Sequence, residues 1–134
     1  SPEQIVAIIG AVIAILGVFA VVVKKLPRRL KVAHYRRKWR ELQLLCANKD
    51  TWPEAILTAD KLFDEVMRKK RISGKTVGER MVAAEETFTN RDSLWQAHKL
   101  ANHIQHTDDV RLKDTDVKEA LIAFRQALRD LGAL

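Results

Sequence analysis

Residues 5–23 read IVAIIGAVIAILGVFAVVV, a long apolar stretch near the start of the chain. It carries no charged side chain, and thirteen of its 19 residues are Ile, Leu, Val or Phe. As an α-helix it would be about 28 Å long, which matches the hydrocarbon thickness of a bilayer. Burial of these apolar side chains favours insertion by about 4–8 kcal/mol. The sequence therefore predicts a transmembrane helix over residues 1–24.

The charges on either side of this stretch predict its orientation. Glu3 is the one charged side chain before it, whereas Lys24 and Lys25 follow it directly. A cleaved signal peptide carries its basic residues before the apolar run, so we expect this helix to be kept as an anchor. The positive-inside rule then predicts a single-pass protein of the cell membrane, with its N-terminus outside and its C-terminal domain in the cytoplasm.

Four small residues, Ala7, Gly10, Ala14 and Gly17, recur at spacings of three and four and share one face of the predicted helix. Small side chains let two membrane helices approach closely, so this face predicts packing between copies and a homo-oligomer, either a dimer or a larger assembly. The alternative is that Gly and Ala are simply common in membrane helices.

The net charge of +7 comes from one short segment beside the predicted membrane helix. Residues 41–134 are close to neutral, with 15 Lys or Arg against 16 Asp or Glu. This near-neutral distal part argues against nucleic acid as its partner. The nine cations of the segment, with no acid among them, are Lys24, Lys25, Arg28, Arg29, Lys31, Arg36, Arg37, Lys38 and Arg40.

Residues 25–50 are predicted to form a basic juxtamembrane unit with an amphipathic helix over about 29–47, after Pro27 ends or kinks the membrane helix. Three interpretations remain open. The cations can orient the membrane helix and contact anionic lipid headgroups, at about 1 kcal/mol per basic residue. The helix can lie in the interface, with Tyr35 and Trp39 as aromatic anchors. The cluster can also bind nucleic acid.

Residues 51–134 show helical periodicity and no useful strand alternation. Pro53 suits a first helical turn after a cap at Asp50 or Thr51, and Thr76 with Glu79 forms a capping box. Two apolar stripes spaced by three and four are clear: Ala55, Ile56, Ala59, Leu62, Phe63, Val66 and Met67, and Val117, Ala120, Leu121, Phe124, Ala127, Leu128 and Leu131. The predicted fold is all-α: one transmembrane helix followed by a cytoplasmic antiparallel helical bundle of four to five helices.

Common ligand-binding patterns are incomplete in this chain. Gly74-Lys75-Thr76 resembles the end of a phosphate-binding loop, but the loop's first glycine and its preceding strand are missing. Histidines at 98, 103 and 106 have no cysteine nearby, so we predict no metal site and no cofactor. Cys46, the one cysteine, is interpreted as a small buried hydrophobe, with a reactive thiol as the alternative.

One polar constellation remains on the helix expected after residue 93. His98, Asn102 and His106 lie four residues apart, so they project from one helical face. Two imidazoles and an amide could form an acid–base or phosphate-contacting surface. The alternative is a polar helix face that forms hydrogen bonds across a bundle or a dimer seam.

Residues 94–106, LWQAHKLANHIQH, followed by a capped last helix, resemble the C-terminal half of HEPN domains, the higher eukaryotes and prokaryotes nucleotide-binding family. The likeness covers about residues 52–134 and is greatest to small membrane-anchored bacterial members of unassigned function. It implies an all-α, commonly dimeric bundle. Many members cleave RNA with an Arg, a polar neighbour and a His four to six residues on.

By position, the resemblance assigns the polar neighbour to Asn102 and the histidine to His106, but Ala101 stands where the family has Arg. A phosphate-binding guanidinium is thus replaced by a methyl group, which removes transition-state charge stabilisation. We therefore predict a membrane-anchored interaction or scaffold module without catalytic activity. The alternative is a membrane-tethered RNase or nucleotide-binding protein that uses Asn102 and His106. A sensor of the lipid surface, built on residues 24–40, is a third possibility.

Overall fold

A computed structural model describes residues 1–25 and 29–134 of the chain. Its six α-helices are α1 (Pro2–Lys25), α2 (Val32–Leu44), α3 (Trp52–Lys69), α4 (Val77–Ala83), α5 (Arg91–His106) and α6 (Asp114–Asp130). Short 3-10 turns connect several of them, and no strand occurs among the described residues. The predicted all-α class is confirmed.

Helix α1 contains the apolar stretch that dominates the sequence. Over Pro2–Val21 it is long and apolar enough to cross a membrane, and none of that span is buried within the protein. Its large apolar side chains are exposed on every side of the helix, as Ile8, Ile13 and Val18 illustrate. The predicted break at Pro27 and the cation Arg28 lie outside the described residues.

The core of the remaining helices is centred on Phe63 of α3. Its ring lies 5.6 Å from that of Phe88 and 6.0 Å from that of Phe124, between ring centroids. Helices α3, α5 and α6 pack against one another around this cluster. The apolar stripe predicted on α3 is confirmed in full, because all seven of its members are buried. The stripe on α6 is also buried, apart from the partly exposed Leu121.

Helix α2 belongs to the same core. Its Tyr35, Trp39 and Leu42 side chains are 3%, 6% and 1% exposed and join the cluster around Phe63. The interpretation of Tyr35 and Trp39 as lipid anchors is therefore wrong, since both rings are taken up by the protein interior. Helix α2, within the predicted juxtamembrane unit 25–50, thus shares one core with the helices after residue 50.

The helix ends show which of the capping residues form hydrogen bonds. Thr76 caps α4 as predicted: its Oγ1 accepts a hydrogen bond from the Glu79 amide at 3.1 Å. Gly132 follows the end of α6 with φ +81°, the left-handed conformation that glycine often adopts after a helix C-terminus. Thr51, one of the two predicted caps, is the N-cap residue of α3, but it forms no capping hydrogen bond because its hydroxyl donates to backbone carbonyls before the helix. Helix α6 likewise starts without a side-chain cap.

Candidate functional site on helices α3 and α5

The predicted polar face of α5 is split between two environments. His98 is buried at 7% exposure, whereas Asn102 and His106 are exposed. His106 is the last residue of α5, two turns beyond His98, which places it about 12 Å further along the helix axis. The structure therefore brings His98 and Asn102 together and leaves His106 apart from them.

His98 is held by Asp60 of α3. The imidazole Nδ1 lies 2.8 Å from Asp60 Oδ1, so the ring N–H donates to the carboxylate. The second ring nitrogen, Nε2, then accepts from the Asn102 amide at 3.4 Å. The Trp95 ring stands edge-on at 6.2 Å between centroids. A carboxylate that orients an imidazole is the arrangement of a general base, and it is equally a way to satisfy a buried histidine.

The sequence did not reveal Asp60 as the partner of His98, because the two residues are 38 positions apart. A weak signal was present. Asp60 and Asp64 are acids four residues apart on α3, on the border of its apolar stripe, where a carboxylate needs a partner. Both do contact groups from other parts of the chain.

Asp64 binds Arg80 of α4 through two hydrogen bonds. Arg80 Nε and a terminal amino group lie 2.7 Å and 3.0 Å from the two carboxylate oxygens, and the other amino group donates to the Gly74 carbonyl at 2.8 Å. Arg80 is 8% exposed. In the segment that resembles a phosphate-binding loop, the Gly74 carbonyl thus binds a side chain of the same protein. Gly74, at φ +144°, has no room for a Cβ, which would meet the Arg80 amide at 2.7 Å.

Ala101 faces the protein core, and its environment explains why an arginine is missing there. The side chain is 1% exposed and belongs to the core cluster around Phe63. A guanidinium at this position would lose its hydration among apolar side chains, which costs free energy. The position that the family resemblance assigns to the phosphate-binding Arg is therefore a packing position in this fold.

The remaining predicted groups show little sign of chemistry. Burial raises the pKa of the half-buried Cys46 thiol, so it is protonated and unreactive near neutral pH. Among the described residues no three His, Cys, Asp or Glu side chains are close enough to hold a metal ion. A cavity of about 690 Å³ lies between the start of α3 and the segment after α5, lined in part by Lys49, Trp52 and Arg111. None of the predicted site residues lines it.

The hydrogen bonds that Asp130 accepts at the end of α6 should be sensitive to acid. Burial alone would raise the pKa of Asp130, but hydrogen bonds from the Thr89 amide and hydroxyl, each 2.8 Å, and from Gln126 lower it below its usual range. A lowered folded-state pKa adds stability that is present above the ordinary value of 3.8 and lost as the pH falls through the folded-state value.

We expect Asp130→Asn to reduce the free energy of unfolding at pH 7 and to lose this deficit relative to wild type below about pH 4. Denaturant titrations across this pH range measure the difference. Asp108→Asn, at an exposed aspartate after α5, is the control and should show no such convergence. A deficit that stays constant down to pH 2 would contradict the assignment.

We compared the chain with three groups of known proteins. No protein-family model, no curated protein and no solved structure matches this chain.

Proposed function

We propose that this chain is a single-pass membrane protein whose cytoplasmic helical domain is an interaction module without catalytic activity. The contrast between α1 and the other helices carries this proposal. α1 exposes Ile, Leu, Val and Phe side chains all around, while α2, α3, α5 and α6 close a core of their own. An unpartnered apolar helix of this length is suited to the hydrocarbon of a bilayer.

The flanks and the surface of α1 support the orientation and the self-association of the protein. Basic residues follow the helix and are absent before it, which favours an outside N-terminus. At Gly10 and Gly17 an added Cβ would meet no atom within 4 Å. The face formed with Ala7 and Ala14 is therefore open to a second membrane helix, in a dimer or a higher oligomer.

We propose that the domain is an antiparallel, HEPN-like bundle, and contacts between helix ends support its antiparallel arrangement. Thr89, just before α5, binds Asp130 at the end of α6, so the start of one helix meets the end of the next. Helices joined by short connections and packed around one core fit this architecture.

Two features support the absence of catalysis. Ala101 is buried where the resemblance would need Arg, and His98 has both ring nitrogens engaged. The alternative, an RNase or nucleotide-binding protein using Asn102 and His106, is favoured by one observation. The imidazole of His98 is oriented by Asp60 and contacts Asn102, as in acid–base sites.

The full-length protein in vesicles tests the two parts of the proposal separately. We expect it to stay with the membrane after carbonate extraction and to leave RNA uncleaved. Variants His106→Ala and His103→Ala, at two exposed histidines of α5, form a matched pair. RNA cleavage that is lost in the first variant and kept in the second would establish an RNase. Extraction by carbonate would overturn the membrane anchor.

A further inference from the structure

The outward side of α2 is strongly basic, and its orientation is fixed by the core. Tyr35, Trp39 and Leu42 point inward, so residues near the opposite side of the helix point to solvent. Six exposed cations occur between residues 29 and 40 with no acid among them, and none forms an ion pair with a described residue. They are Arg29, Lys31, Arg36, Arg37, Lys38 and Arg40.

An apolar side chain lies within this basic surface. Leu44 is 76% exposed, which makes it the most exposed large hydrophobic residue described in α2–α6. It follows Arg40 by four residues and Arg37 by seven, and therefore shares their side of α2, together with one exposed acid, Glu41. Cations around an exposed leucine suit a surface that is negatively charged outside and apolar just below, as a phospholipid monolayer is. An RNA backbone would use the cations and leave Leu44 in water.

The distance to α1 is short. Six residues, 26–31, separate Lys25 at the end of α1 from Val32 at the start of α2. Even fully extended, the seven steps from Lys25 to Val32 span at most about 25 Å. With α1 in a bilayer, the cations of α2 are confined near the headgroups, so that docking needs no further loss of translational freedom.

We propose that Arg36, Arg37, Arg40 and Leu44 on the outward side of α2 dock on an anionic phospholipid surface, with Leu44 inserted among the lipids. This inference rests on the membrane anchor proposed above, and it names the lipid class and the residues that read it. At about fivefold per cation near such a surface, reversing three of them should shift the docking equilibrium by more than a hundredfold.

An environment-sensitive fluorophore at Leu44 tests this docking in the full-length chain. The label is attached to Leu44→Cys in a Cys46→Ala background, and the protein is placed in phosphatidylcholine vesicles with or without phosphatidylserine. We expect blue-shifted emission and quenching by lipid-borne quenchers only when phosphatidylserine is present. Raising the salt to about 1 M should reverse both, since the Debye length falls to about 3 Å.

Two controls separate docking from anchoring and from folding. The variant Arg36→Glu/Arg37→Glu/Arg40→Glu should lose the phosphatidylserine response and still resist carbonate extraction, because α1 is unchanged. A label at Ile122→Cys, 68% exposed on α6, should not respond to lipid composition. Emission at position 44 that is the same in both vesicle types, in a chain that resists extraction, would overturn the docking alone. A response to added RNA in place of phosphatidylserine would also overturn it.

Discussion

Replacing Arg80 with alanine should lower the free energy of unfolding by about 3–5 kcal/mol, because it leaves the Asp64 carboxylate partly buried and without its main partner. The same change removes the donor to the Gly74 carbonyl, which holds the turn before α4. Urea titration of the full-length protein in detergent micelles, followed by tryptophan fluorescence, measures the loss. All three tryptophans lie outside α1, so the signal reports on the domain.

Arg68→Ala is a matched control for Arg80→Ala, because both arginines contact the same carboxylate. Arg68 lies 3.4 Å from Asp64 Oδ2, but its side chain is 63% exposed. An ion pair on one helix whose arginine is solvent-exposed contributes about 0.5 kcal/mol. Similar losses for both variants would mean that burial does not distinguish the two contacts and would contradict the role given to Arg80.

Replacing Trp39 with alanine should also lower the free energy of unfolding by about 3–5 kcal/mol, the usual range for removing a large aromatic ring from a core. Trp39 is 6% exposed, and its Nε1 is buried without a hydrogen-bond partner. Trp39→Phe keeps most of the ring contact and removes that unpaired N–H, so we expect it to cost less than about 1.5 kcal/mol. The fluorescence of Trp52 and Trp95 follows unfolding in both variants.

These two variants decide whether α2 is part of the folded domain. If α2 rested on lipid through its aromatic residues, Trp39→Ala would weaken lipid contact and leave the stability of α3–α6 unchanged. A large loss of stability for alanine with a small one for phenylalanine is the pattern that core packing requires.

The fold class and the inner sides of α3 and α6 were predictable, because an apolar repeat of 3.6 residues reports directly on helix burial. The ends of the helices were less predictable. Thr51 looked like a cap by residue type, yet its hydroxyl is used by the preceding turn. Helix α4 starts at the predicted capping box and ends at Ala83; the 3-10 turn Glu85–Thr87 follows and brings the Phe88 ring to Phe63.

The candidate site was less predictable than the fold, for a physical reason. Helical spacing shows that His98, Asn102 and His106 share a side of α5, but not what lies opposite. Asp60, which decides that His98 is buried and engaged, comes from α3 and is found only once the helices pack. In the same way, the aromatic residues of α2 fit a lipid surface and a protein core equally well by sequence, and only tertiary contacts distinguish the two.

That ambiguity of α2 has a consequence for how the chain folds beside a membrane. In the unfolded protein, Tyr35, Trp39 and Leu42 are released next to the same cations, and such a segment is a good interfacial helix. With α1 in a bilayer, lipid is then a competing ligand that binds the unfolded state through the very side chains that the core needs. Native folding must then withdraw this helix from the interface. If α2 docks as proposed, anionic lipid would stabilise both the folded domain and a partly unfolded state in which these side chains contact the lipid.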